Sequence, residues 1–92
     1  MTTLITKNDY HKDAINDEEK TYIIGTDSGT PFIGDETVIL TTVECLVRFN
    51  DDSLWQLIHR GDYFYFSRRL VQFSFKRAGL VNGEIEIWSE GQ

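Results

Sequence analysis

Hydrophobic and polar residues alternate in short runs from Thr21 onward, with turn residues between the runs. Thr21 to Thr26 is rich in β-branched residues, and Asp27-Ser28-Gly29-Thr30-Pro31 supplies turn chemistry after it. Phe32-Ile33 reads as a short edge piece. Thr37 to Asn50 reads as one long strand, or as two with a bulge near Thr41-Thr42-Val43. Within it Val43, Cys45, Val47 and Phe49 alternate with Glu44, Leu46, Arg48 and Asn50, a period of two that turns one side to a core. Further strands are expected over Leu54 to His59, Tyr63 to Phe66, Leu70 to Lys76 and Glu84 to Glu90. Gly61, in the turn after His59, is free to take a positive φ. In the last strands Val71, Phe73, Phe75, Ile85 and Ile87 hold the apolar phase and complete the expected core. About seven short strands, with no segment of crossover-helix length, predict an all-β fold. The expectation is an antiparallel β-sandwich or a jelly-roll-like small barrel.

The first 20 residues lack this pattern. Lys7 to Lys20 is polar without a clean period, so residues 1–20 are expected to form a polar N-terminal arm and residues 21–92 a single sandwich domain. Leu4 and Ile5, flanked by threonines, are expected to make a short strand in that arm where an edge is available to pair with.

Composition narrows the function. Ninety-two residues suffice for one modest core. The formal net charge of −6 lacks the basic footprint of a dedicated nucleic-acid binder. No apolar run is long enough for a membrane helix, and the amino-terminal stretch lacks the apolar centre of a signal peptide. Charge is also segregated. Residues 48–77 carry six bases and three acids, residues 21–47 four acids and no base, and residues 78–92 three acids. The basic stretch holds eight of the twelve aromatics. Tyr63-Phe64-Tyr65-Phe66 has rings in both phases, so one side is expected against the core and the other on a partner.

Catalytic constellations are weak by comparison. Cys45 with His11 or His59 has the residue types of a nucleophile and base, but its phase with Val43 and Val47 makes it a small core residue. A single cysteine excludes an internal disulfide and a Cys-based zinc site. Asp51, Asp52 and Asp62 follow no EF-hand spacing. Arg60-Gly61-Asp62 reads as a glycine turn between charges. Glu84 and Glu86 share one side of a strand about 7 Å apart, and no cleft is implied around them. Gly25, Gly29 and Gly34 precede no helix that could complete a phosphate loop. The expectation is therefore a non-enzymatic protein without metal or cofactor.

The order of features from Thr42 to Gly91 carries a family resemblance. Val47-Arg48-Phe49-Asn50 ends one strand, Leu57-Ile58 precedes Gly61-Asp62 and Phe64-Tyr65-Phe66, and Val71 to Ala78 follows. Gly83-Glu84-Ile85-Glu86-Ile87-Trp88 closes the series. This order resembles the small β-sandwich structural proteins of tailed-bacteriophage virions, among them capsid decoration or cement proteins. Residues 1–40 have no counterpart in it. The resemblance implies a virion subunit, made in the host cytoplasm, that stabilises the head by multivalent contacts. Its partners would be its own copies, as a homotrimer, and the major capsid protein or another virion protein. The expected contacts are Leu4 and Ile5 in the arm, and Trp55, Arg60, Tyr63, Tyr65, Arg68 and Arg69 on the surface. The alternative is a small acidic binding module that inhibits or adapts a host protein. Its mark would be Asp51, Asp52, Glu84 and Glu86 adjacent on one exposed side.

Overall fold

The alternating runs form strands in a computed structural model that describes residues 7–91. Eight strands follow one another: β1 (Lys7–Ile15), β2 (Lys20–Ile23), β3 (Gly34–Thr41), β4 (Cys45–Phe49), β5 (Gln56–Ile58), β6 (Phe64–Phe66), β7 (Gln72–Arg77) and β8 (Gly83–Gly91). They make two four-stranded antiparallel sheets, β1-β8-β3-β6 (sheet A) and β2-β7-β4-β5 (sheet B). The chain changes sheet at every connection except the β4–β5 hairpin. This winding is the jelly-roll order, in which two Greek keys wrap around one core. The expected all-β antiparallel sandwich is the fold adopted, with eight strands among the described residues instead of about seven.

The extra strand corrects the expected arm. Residues 7–15 pair along their whole length with β8, from Lys7 opposite Gly91 to Ile15 opposite Gly83, and Ile15 is fully buried. The period of two is present in β1, but it is written in polar residues: Asp9, His11 and Asp13 occupy the inward phase with Ile15. Hydrophobic patterning cannot register such a strand. Leu4 and Ile5 lie outside the described residues.

The long stretch from Thr37 to Asn50 is two strands, and the break is not a bulge within one sheet. β3 ends at Thr41 in sheet A and β4 begins at Cys45 in sheet B, so residues 42–44 cross the end of the sandwich. Thr42 secures this crossing through its Oγ1, which accepts from the Glu84 amide at 2.8 Å. At the same end Gly61 takes φ 78° and donates its amide to the Thr41 carbonyl at 2.8 Å. A side chain there would force the disfavoured left-handed conformation.

The two sheets fill the core differently. Sheet A contributes aliphatic and threonine side chains: Ile15, Thr37, Ile39, Thr41, Ile85 and Ile87. Sheet B contributes Tyr22, Cys45, Val47, Phe49, Ile58, Phe73 and Phe75, while Ile24, Phe32 and Leu70 close the core from the loops. Val43, Phe64 and Phe66 are partly buried against it. The Phe66 ring lies 4.5 Å from that of Phe49, tilted 52° to it.

Val71 is the one expected core residue that faces out, at 51% exposure. Leu70 takes the buried place through paired backbone bonds with Gly34, both 2.8 Å. The chain then bends at Val71 before β7 begins, which resets the alternation. Asn50, at φ 52°, fixes this bend: its Oδ1 accepts from the Val71 amide and its Nδ2 donates to the Arg69 carbonyl.

Candidate functional site

Strand order decides which outward side chains become neighbours. On sheet A the register aligns Asn8, Glu90 and Glu36 in one row across β1, β8 and β3. The next row is Tyr10, Trp88, Val38 and Tyr65, across all four strands. The third is Lys12, Glu86 and Leu40. Trp88 stands 5.4 Å from Tyr10, and Tyr63, from the loop before β6, leans to 6.4 Å from Trp88. These rings are open: Trp88 is 36% exposed, Tyr65 57% and Tyr63 70%. A shallow groove of about 190 Å³ runs on one side of Trp88, lined by Asn8, Glu36, Tyr65 and Glu90. A second, of about 300 Å³, lies on the other side against Tyr10, Asp27 and Ser28.

The charge of this face is acidic. Glu36, Glu84, Glu86 and Glu90 point outward with Lys12 as the one base among the outward strand positions, and Lys12 is held by Glu84 at 3.2 Å. That partner pushes the Lys12 pKa up. Glu36 lies directly opposite Glu90, a like-charged cross-strand pair that works against stability. Hydrogen bonding to Glu36 holds the Tyr65 phenol above its ordinary pKa.

The outward side of sheet B has other chemistry. Trp55, just before β5, is half-buried between two cations, with the Arg48 guanidinium 4.9 Å and the Lys76 ammonium 4.4 Å from its ring centre. Such contacts contribute about 0.5–1 kcal/mol each at exposed sites. Leu46 lies opposite Leu57 on one side and Lys76 on the other, so an aliphatic pair adjoins the clasped tryptophan. Arg48 also meets Glu19 at 2.9 Å. Ile23 adds a further exposed aliphatic at the β2 edge.

Between the sheets, at the β1 edge, lies a polar network that the sequence reading missed. The buried Asp9 carboxylate accepts from the Tyr22 hydroxyl, and at 3.0 Å from each of the Gly25 and Ser28 amides. Gly25 takes φ 96° here, and a side chain on it would run into the Thr30 carbonyl. His11 stacks flat on Tyr22 at 3.7 Å, with Nδ1 2.7 Å from Asp27 and Nε2 3.3 Å from Asp13. Lys20 closes the chain by donating to Asp13 at 3.1 Å. Burial and the bond to Asp9 push the Tyr22 phenol far above its ordinary pKa. Each polar group has its partner, so the network pegs β1 of sheet A to the loop after β2 of sheet B.

The expected surface residues do not form one patch. Tyr63 and Tyr65 join the aromatic row of sheet A, whereas Trp55 belongs to sheet B. Arg60 is exposed beside Val43, Glu44 and Leu80 at the end of the sandwich where the chain crosses. Arg68 is tied to Asp52 at 2.8 Å and covers the Phe49 ring, and Arg69 is exposed in the loop after β6. Tyr10 and Trp88 complete the aromatic row without having been expected in it. The outward phase of Trp88 is legible from its alternation with Ile85 and Ile87, but its neighbours come from strand order alone.

Two other sequence possibilities resolve. Asp51 and Asp52 sit in the β4–β5 turn at one end of the sandwich, and Glu84 and Glu86 begin β8 at the other, so the four acids are not adjacent. Cys45 is fully buried, and burial pushes its thiol up to about 12. His59 turns instead to Glu44 at 3.0 Å. Among the described residues no group of three or more His, Cys, Asp or Glu side chains is placed to hold a metal ion. No family model matches the chain, and no curated protein or solved structure matches it.

Proposed function

We propose that the protein is a non-enzymatic assembly subunit, of the decoration or cement type carried on a tailed-phage head, and that it attaches through the outward side of sheet B. The observation that carries this reading is Trp55 clasped between Arg48 and Lys76 beside the Leu46–Leu57 pair. Tryptophan and arginine are the residues on which interface energy concentrates, and the neighbouring leucines exclude water around them. The resemblance over residues 42–91 and the jelly-roll winding, which capsid domains also use, support it by analogy. Attachment of this kind needs no chemistry, and many weak contacts on one lattice add through effective concentration. The subunit works as a homo-oligomer, a trimer, on the major capsid protein or another virion protein.

Mass spectrometry of purified particles, with copy number set against the major capsid protein, tests the reading. The expected result is a fixed stoichiometric ratio, and binding of the recombinant protein to expanded capsids that weakens at least tenfold in Trp55→Ala. A strict monomer by light scattering at micromolar concentration, without capsid binding, contradicts it.

A further inference from the structure

We propose that the outward side of sheet A is a binding site for a neutral sugar polymer, which lies across the strands along the row Tyr10, Trp88, Val38 and Tyr65. Neighbouring strands are about 4.8 Å apart, so a row over four strands spans about 14 Å, room for a short run of pyranose rings. A pyranose has an apolar C–H side that packs on the negative π-face of an aromatic ring, and a rim of hydroxyls. Both needs are met here. Trp88 offers an open ring between two shallow grooves, with Tyr10 and Tyr63 tilted 43° and 44° to it. The groove walls are Asn8, Glu36 and Glu90 on one side, and Asp27 and Ser28 on the other.

The polar groups select the ligand class. Carboxylates only accept hydrogen bonds, so the ligand must donate, and sugar hydroxyls do. With Lys12 engaged by Glu84, the outward Glu36, Glu86 and Glu90 repel phosphate, sulfate and carboxylate groups, which sets aside nucleic acids and anionic glycans. A protein partner fits less well. Glutamate is depleted at the centre of protein interfaces. The most exposed aliphatics, Leu54, Val71, Leu80 and Val81, lie in loops, Ile23 and Leu57 belong to sheet B, and Ile33 precedes β3. The facing Glu36–Glu90 pair is what a donor-rich ligand would relieve.

Affinity electrophoresis of the full chain through gels containing a β-glucan, an α-glucan or a soluble chitin derivative is the test, with heparin and polyarginine as competing probes. At least one neutral polymer should retard the protein, and Trp88→Ala and Tyr63→Ala should each weaken that retardation at least tenfold while Trp55→Ala leaves it unchanged. Tyr63 is 70% exposed, so its variant keeps the test open if Trp88→Ala fails to fold. Retardation by none of the neutral polymers overturns the proposal. So does retention of binding in Tyr63→Ala, or tight binding of heparin or polyarginine in place of the glycans. Because Trp55 serves as the control, loss of this proposal leaves the attachment reading intact, and the converse holds.

Discussion

The molecule's two tryptophans sit on opposite sides of the sandwich, and their settings differ in kind. Trp88 lies among tyrosines and glutamates on sheet A, with its ring open between two grooves. Trp55 lies between an arginine and a lysine on sheet B, beside two leucines. Both outer sides are products of the same pleat alternation, yet one is acidic and aromatic and the other basic and aliphatic. The difference teaches that the net charge of −6 describes neither side. It also constrains assembly. Two copies pairing sheet A on sheet A would oppose eight glutamates, whereas stacking A on B complements charge but propagates as an open stack, because the sides face opposite directions. Face-to-face contacts of sheet A therefore do not serve the closed oligomer proposed above, which suits a free ligand-binding side.

The largest expected effect comes from the peg that joins the two sheets. Asp9→Ala strands the Tyr22 hydroxyl and the Gly25 and Ser28 amides, and unsatisfied buried groups cost about 1–3 kcal/mol each. Partial access of water leaves an expected loss of about 3 kcal/mol, or a fall in Tm of about 10–20 °C for a domain of this size. Because β1 carries Tyr10, the same change should unsettle the sheet A row and spare Trp55. An unchanged melting temperature would show that β1 is not held in this way.

Alkaline pH should act on the same peg. The Tyr22 phenol holds its proton more tightly in the folded chain than in the unfolded one. Its contribution to stability is therefore whole below the unfolded pKa of about 10, and falls as pH rises above it. Cys45, whose thiol is pushed up to about 12, adds a loss of the same sign that begins above about pH 8.5. Urea unfolding at pH 7, 9 and 10.5 should show falling stability, and Tyr22→Phe should flatten the upper part of the curve. Stability that holds level to pH 10.5 contradicts the assignment.

Smaller effects separate the two sides. Trp55→Ala removes two cation–ring contacts and should cost about 1–2 kcal/mol in chemical denaturation. Glu36→Gln relieves the facing carboxylates and should gain about 0.5 kcal/mol. A destabilised Glu36→Gln would mean that the pair is compensated within the free protein.

Much of the core was legible because its residues keep a strict period of two. Cys45, Val47, Phe49, Phe73, Phe75, Ile85 and Ile87 are all buried in that phase. Val71 escaped because a bend at the end of a loop resets phase, and the bend depends on Asn50, twenty-one residues earlier. β1 escaped because its inward residues are satisfied by partners such as Tyr22, Asp27 and Lys20 that pattern alone cannot assign. The aromatic row was half legible. Tyr63 and Tyr65 stand out in one run of rings, but Tyr10 and Trp88 are brought together only by β1 and β8 lying side by side.

Hydroxyl-radical footprinting of the wild-type protein, free and bound to capsids, reads both tryptophans in one sample and tests the division of labour between the two sides. Attachment through sheet B predicts that oxidation of Trp55 falls several-fold on binding while oxidation of Trp88 stays at its free level. Protection of Trp88 with Trp55 unchanged, or equal protection of both, would contradict it.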